Sequence, residues 1–301
     1  MANLARGDQV KKVVVFGSYG QLGTDLVQTL KAKKIFDVLA FDREHVDFAD
    51  EKALRSFLNL KVGAVDAVIN CVAVTNTTFC EEHCEETYKI NALPQAVLAQ
   101  YCSKMKASLI YFSTDYVFSG EKKKPYTEND VPRPINIYGT SKLAGEDLVR
   151  AYCDKHFIFR ISSLFGIAGA LGKGGNFVET MIAKAKKGED LKVIDDQIMS
   201  PTSTSEIARV VCHFLENNLT SYGTYHFSGR GECSWYEFTK AIFSQCSLSN
   251  PVTRVSWKDF PSALRRPEYS AFDTAKIAKL VSVPSWEEHL KNYLILKGHT
   301  K

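Results

Sequence analysis

Five short apolar runs in the first 160 residues carry no polar alternation: 12–16 (KVVVF), 37–41, 67–70, 108–112 and 156–161. Alternation marks a strand with one wet face, so runs such as VVVF and LIYF read as strands buried on both faces of a parallel sheet. Segments 21–31, 51–60, 91–104 and 141–152 lie between them, with helical spacing and the length of crossover connections. The repetition is βαβ. It predicts an α/β fold with a doubly wound parallel sheet of Rossmann-like type.

After a glycine-rich stretch at 166–175 (GIAGALGKGG), too flexible for an element interior, the rhythm loosens. Helices are expected at 177–187, 205–217, 235–246 and 286–296, with strands at 224–227 and 252–255. The division this predicts is a dinucleotide-binding part over 1–165 and a smaller C-terminal lobe over 166–301. That lobe is mainly substrate-binding, is interleaved with the last sheet strands and shares one continuous core with the first part.

Composition narrows the class without choosing the chemistry. At 45% hydrophobic and 24% charged the chain is an ordinary globular protein, not a disordered one. Its 38 basic and 34 acidic residues leave +4, too little for a nucleic-acid surface, though mildly favourable to an anionic ligand. No apolar run reaches the roughly 20 residues that span a bilayer, and residues 1–12 lack a signal-peptide apolar stretch. Eight cysteines in that setting read as reduced thiols of a cytoplasmic protein.

The segment Gly17-Ser18-Tyr19-Gly20-Gln21-Leu22-Gly23 follows the first strand directly and opens a helix. Glycines suit a sharp turn, a close backbone approach to a pyrophosphate and tight helix–strand packing, and the helix N-terminus offers unpaired N–H groups to the anion. An ordinary strand–helix turn is the bland alternative, but an acidic residue also ends the next strand: Asp42, nineteen positions past Gly23. Asp42 suits the adenosine ribose hydroxyls and favours NADH, whereas Arg43 suits a 2′-phosphate and favours NADPH. The two pull in opposite directions. KM values within about tenfold of each other, ~1.4 kcal/mol, are therefore expected.

Tyr138 and Lys142 are four residues apart, on one face if the segment is helical. A phenol is a poor acid at neutral pH, and a neighbouring ammonium lowers its pKa, so the pair suits proton delivery to a carbonyl oxygen while a nicotinamide delivers hydride. The lysine also suits the nicotinamide ribose. Thr114, in Ser113-Thr114-Asp115-Tyr116, closes the fourth strand, where such sheets present ligands, and completes a Thr–Tyr–Lys triad. Ser113 and Asp115 alone read equally well as a turn-forming cap.

Across nearly its whole length the chain resembles the dTDP-4-dehydrorhamnose reductase family of extended short-chain dehydrogenase/reductases. GSYGQLG, VINCVAVT, FSTDYVFSG, PYTENDVPRPINIYGTSKLAGE, GGNFVETM, VIDDQIMSPT and RRPEYSAFDTAKI carry the resemblance. It implies NADPH- or NADH-dependent reduction of the C4 ketone of a nucleotide-linked 4-keto-6-deoxy sugar, with dTDP-4-dehydro-L-rhamnose as substrate. By resemblance Thr114, Tyr138 and Lys142 are catalytic, and Cys71, Val72 and Ala73 pack along the cofactor. Thr75, Tyr116, Val117 and Phe118 line the sugar, while Asn176, Gln197 and Arg266 belong to the nucleotide-sugar side. A second copy of the chain is the protein partner the resemblance allows, with neither nucleic acid nor membrane.

Two departures bear on the sugar. The family usually has tryptophan where this chain has Ser163, and aspartate where it has Ser119. Loss of the aromatic platform leaves room for a bulkier substituent unless Leu164 or Phe165 fills the gap. Cys80-Glu81-Glu82-His83-Cys84 invites a zinc reading but lacks a second ligand pair, so no metal is expected. Asp195 and Asp196 read as loop-shaping residues. A sugar-nucleotide epimerase or dehydratase is the rival enzyme, although the Thr-Asp-Glu of such dehydratases is Thr114-Asp115-Tyr116 here. The rival of another class is a regulatory subunit resembling the β subunit of methionine adenosyltransferase.

Overall fold

The computed structural model describes residues 10–169, 175–259 and 264–300; most of the expected N-terminal stretch and the centre of the glycine-rich one, 170–174, lie outside them. Six parallel strands form the main sheet: β1 (Lys11–Phe16), β2 (Phe36–Phe41), β3 (Ala67–Asn70), β4 (Ser108–Thr114), β5 (His156–Ile161) and β6 (Gly223–Phe227). Their order is β6-β5-β4-β3-β1-β2, so the winding reverses between β1 and β3. Ligands of such sheets sit at that reversal, outside the carboxyl ends of the strands.

The unbroken apolar runs have a direct explanation. Val13 and Val15 face one side of the sheet with Ile69, Ile110, Phe157 and Phe159, under α1 (Gln21–Lys31) and α8 (Thr204–Glu216). Val14 and Phe16 face the other with Val68, Leu109, Tyr111 and Ile158, under α2 (Glu51–Phe57), α5 (Leu93–Met105) and α6 (Ile137–Tyr152). Successive side chains alternate faces, and both faces are covered, so the runs are apolar on both sides, and the polar residues buried towards the strand ends, such as Asn70, Ser113 and Arg160, are hydrogen-bonded. Leu22, Leu26 and Leu30 recur every four residues along the buried face of α1.

Three expected helices differ from those observed. The segment 51–60 ends its α-helix at Phe57 and continues as a π-turn over Leu58–Val62. The segment 91–104 breaks at Ala92 into α4 (Cys84–Asn91) and α5, whose first turn accommodates Pro94 because the amide there needs no partner. Helix α6 begins at Ile137, not at 141, because the Asn136 side chain accepts from Gly139 N and caps it. A short α3 (Thr77–Glu82), capped by Asn76, completes this half.

Beyond β5, helices α7 (Phe177–Lys186), α9 (Trp235–Gln245) and α10 (Trp286–Leu296) enclose a cluster of Phe165, Val178, Ile182, Phe238, Phe243 and Tyr293. A fourth cluster, Val117, Phe118, Tyr126, Tyr269, Ala271 and Phe272, lies where the chain after β4 meets the 269–272 segment. The cluster under α1 and α8 spans both parts, with Ile207, Phe214, Tyr225 and Ile277 packed among Val13, Val15 and Phe157, and the C-terminal part adds clusters of its own. Small strand pairs knit the C-terminal part: Leu191–Ile194 with Val252–Val255, and Ile198–Met199 with Cys233–Ser234. Among the described residues no helix is long and apolar enough to cross a membrane, and no disulfide joins two of the cysteines.

Candidate active site

The loop after β1 is shaped for an anion. Gly17 has φ +74°, and a Cβ there would lie 2.9 Å from the Cys71 carbonyl carbon, so the loop and the chain after β3 touch backbone to backbone. A Cβ on Gly23 would meet Gly17 O at 2.0 Å, which brings the start of α1 down onto the strand end. Helix α1 has no side-chain cap, whereas Asp50, Asn76, Asn136, Asn176, Ser234 and Ser285 cap α2, α3, α6, α7, α9 and α10. The Ser18 hydroxyl and Gln21 Oε1 beside it are buried without a protein partner. Open N–H groups, a close backbone cradle and unpaired polar atoms at one helix N-terminus fit a dinucleotide phosphate.

Asp42 stands at the end of β2 as expected, but its carboxylate already accepts from Tyr19 N (2.9 Å) and Arg43 N (2.7 Å), bracing the loop. The exposed Arg43 guanidinium makes no hydrogen bond to described residues. Arg43→Ala should therefore weaken NADPH by about tenfold, ~1.4 kcal/mol, and spare NADH. Equal losses in the two titrations would place Arg43 away from the ribose. Cys71, Val72 and Ala73 are half-buried, and two asparagines pin their loop: Asn70 accepts from Val72 N (2.9 Å), and Asn91 brackets Val74 through its N–H and carbonyl (2.8 and 3.1 Å).

Tyr138 lies in the first turn of α6, with Lys142 one turn on, and the buried Thr114 closes β4 beside them. The Tyr138 ring meets Tyr116 edge-on at 5.8 Å. Burial pushes its phenol well above the ordinary range, and the nearby Thr114 hydroxyl offsets only part of the shift. Lys142 does not supply the expected depression in this state. Its Nζ lies 4.2 Å from the Tyr111 ring centroid, and burial lowers it to about 7 against the opposing influence of Glu146 and Cys71. Tyr138 therefore holds its proton at neutral pH, the form a proton donor needs.

The substrate-side expectations divide. The charge of Arg266 lies close enough to the Tyr116 phenol to oppose its rise to about 12, a rise that burial causes and Asp115 reinforces. Gln197 is buried, and Thr75 is exposed at the rim of the β3 loop. Val117 and Phe118 are both fully buried in the junction cluster, Phe118 stacked on Tyr126 at 4.1 Å. The Asn176 side-chain carbonyl caps α7 by accepting from Glu179 N, and its amide donates to Gly166 O (3.0 Å) and Tyr293 OH (2.9 Å). Ser163 is half-buried with φ +46°, and Phe165 does not fill the gap beside it because it is packed edge-on to Tyr293 in the lobe. Asp195 and Asp196 do shape their loop, accepting from Ser234 and Ser256 hydroxyls (2.5 Å each) and, for Asp196, Trp257 N.

Two buried acids stand at this site, Glu146, which the sequence reading passes over, and Asp115, which it takes for a turn-forming cap. Glu146, one turn beyond Lys142, accepts from Arg160 through Nε (2.8 Å) and Nη2 (2.7 Å) and from Ser113. Burial alone would raise it; Arg160, Arg150 and Ser113 outweigh that and hold it ionised. Asp115 accepts hydroxyls from Thr114, Ser162 and Ser270. The Y-x3-K-x3-E spacing signals the first, and nothing local signals the second. A cavity of about 500 Å³ lined by Glu128, Asp147, Arg150 and Thr224 contains none of the expected site residues. Among the described residues no three His, Cys, Asp or Glu groups gather to hold a metal, and the His83 ring lies stacked on Phe79.

Comparison with known proteins covers almost the whole chain. The family described as the RmlD substrate binding domain matches residues 11–297. The spore coat polysaccharide biosynthesis protein SpsK of Bacillus subtilis (strain 168) is 35% identical over 94% of this chain and 96% of its own length. The dTDP-4-dehydrorhamnose reductase of Escherichia coli (strain K12) is 31% identical over 94% and 96%. The crystal structure of dTDP-4-dehydrorhamnose reductase from Bacillus anthracis str. Ames in complex with NADP superposes with a TM-score of 0.88 at 36% identity, covering 95% of this chain and 99% of that one. UDP-glucose 4-epimerase of Thermotoga maritima, at 17% identity and a TM-score of 0.79, shares the fold.

Proposed function

This chain belongs to the RmlD substrate binding domain family, that of the dTDP-4-dehydrorhamnose reductases, and from that premise we propose that it reduces the C4 ketone of dTDP-4-dehydro-L-rhamnose with NADPH or NADH. The observation that carries the reading is the placement of Tyr138 and Lys142 on successive turns of α6, with the buried Thr114 at the carboxyl end of β4, on the edge of the parallel sheet that also carries the glycine loop after β1. A bound nicotinamide supplies hydride to the carbonyl carbon. Tyr138 donates its proton to the carbonyl oxygen, and Thr114 holds the phenol in place. Lys142, kept partly charged by Glu146, would hold the ribose and support the phenolate left behind. In this reading residues 1–165 hold the cofactor and 166–301 mainly the nucleotide sugar, with Tyr116, Gln197 and Arg266 on the sugar side. A cytoplasmic enzyme fits a chain whose described cysteines form no disulfide.

Cofactor oxidation with a panel of 4-keto-6-deoxy nucleotide sugars tests the assignment, and the dTDP-linked rhamnose precursor should be turned over fastest. Position 163 tests the sugar pocket. Ser163→Trp should lower KM for dTDP-4-dehydro-L-rhamnose, or block a bulkier sugar, with cofactor KM unchanged, since aromatic burial contributes up to a few kcal/mol. The left-handed backbone there costs any bulky residue of order 1 kcal/mol, which sets a modest limit on the gain. A folded variant indifferent to every sugar would show that residue 163 does not touch substrate.

A further inference from the structure

Both neighbours of the exposed Arg266 are held against the half of the molecule that carries Tyr138. On one side Pro267 restricts Arg266 to extended backbone. The pair Pro267 and Glu268 presses on the chain after β4, where a Cβ on Gly120 would lie 2.6 Å from Glu268 N and 2.7 Å from Pro267 Cα. Ile198 N donates to Glu268 O and Ser270 N to Ile198 O, at 2.8 Å each, which fixes the segment from there on. On the other side the carbonyl of Arg265 accepts from Asn136 Nδ2 at 2.9 Å.

Asn136 is the N-cap of α6, two residues before Tyr138, and it is buried. Its Oδ1 accepts from Gly139 N (2.8 Å), while Glu81 Oε1 from α3 accepts from Ile137 N (2.7 Å) in the same turn. A Cβ on Gly139 would run into Tyr116 O, so that turn is itself seated on the chain after β4. Asparagine, aspartate and serine cap helices about equally well, so the cap alone does not call for asparagine. Only asparagine adds an amide donor, and here the donor goes to Arg265. One side chain thus joins the turn that carries Tyr138 to the residue next to Arg266.

We propose that Asn136 is a positioning residue for the nucleotide sugar: its amide fixes the backbone of Arg266 relative to Tyr138, so that a nucleoside diphosphate gripped by Arg266 presents its sugar to the phenol. A guanidinium suits diphosphate oxygens, and its grip is only as well aimed as the backbone that carries it. The inference rests on the proposed nucleotide-sugar reductase, with Arg266 on the sugar side.

Calorimetric titration of the full chain, saturated with NADP, with dTDP tests it, beside steady-state kinetics with NADPH and dTDP-4-dehydro-L-rhamnose. Asn136→Ser keeps a capping oxygen and removes the amide. It should weaken dTDP and raise the sugar KM by about tenfold, the cost of a carbonyl that loses its donor, with kcat and cofactor Kd little changed. In an Arg266→Met background the same change should cost nothing further. Equal losses in both backgrounds, no loss in either, or a fall in kcat with dTDP affinity intact would overturn the proposal, since a cap that is merely structural acts without regard to residue 266. Glu81→Ala, which takes the other acceptor from the same turn, should leave dTDP affinity alone; a tenfold loss there would also overturn it. Asn136→Asp, an equally good cap, is the second variant and should weaken dTDP at least as much, because a carboxylate then faces the Arg265 carbonyl. If neither variant folds, Asn136 is a structural residue and the proposal falls. A wild-type chain that does not bind dTDP, or an Arg266→Met chain that binds it undiminished, defeats the reading of the site itself, whereas additive losses defeat only the role of Asn136.

Discussion

Tyr138→Phe is expected to lower kcat by roughly 10²–10⁴, the range of general acid catalysis, while cofactor affinity changes little. The substitution keeps the ring and its edge-on contact with Tyr116, and removes only the hydroxyl that faces Thr114. Burial keeps that hydroxyl protonated at neutral pH, so the wild-type group is a donor ready for use, and phenylalanine has nothing to give. Lys142 cannot stand in, because its Nζ is over Tyr111. Stopped-flow and steady-state cofactor oxidation separate the chemical step from binding. Near-normal turnover by the variant would remove Tyr138 from the chemistry.

Arg160→Met is expected to cost about 3 kcal/mol of stability, because it strips a buried carboxylate of its bidentate partner. Glu146 has no exposed surface and Arg160 almost none. Arg150 and Ser113 remain bonded to Glu146, which keeps the cost at the lower end of the range for broken buried pairs. In a thermal melt this is a fall of roughly 5 °C for a chain of this size. Adding Glu146→Leu should restore most of the melting temperature, since removing both partners leaves no orphan charge. It should not restore turnover. Glu146 is the main influence opposing the downward shift of Lys142, so without it Lys142 loses its proton at still lower pH, and cofactor affinity at neutral pH falls. A double variant that regains both stability and affinity would show that Glu146 does not act on Lys142.

The sheet and the phosphate loop were legible because their signals are local. Strand runs buried on both faces, and glycines required by backbone contacts under 3 Å, leave marks within a few residues. Helix boundaries were less so. Asn136 starts α6 four residues before the apolar pattern becomes regular, and Pro94 hides a break because the first turn of α5 tolerates it. Side-chain direction was the weakest point. The motif around Tyr116 could not say that Val117 and Phe118 turn into the junction while Tyr116 keeps to the cleft side. Nor could any spacing pair Asp115 with Ser162 and Ser270, 47 and 155 residues away. Those contacts are set by how the C-terminal segment lies against the sheet, which is tertiary packing.

Transfer of label tests the central claim most directly. NADPH carrying deuterium at both C4 positions of the nicotinamide is mixed with the protein and dTDP-4-dehydro-L-rhamnose, and the sugar is read by NMR and mass spectrometry. The account predicts one deuterium at C4 of the sugar for each NADPH consumed, with loss of the ketone. Cofactor that binds but passes no label, as in a regulatory subunit, or label that appears elsewhere on the sugar, as in a dehydratase, would contradict it.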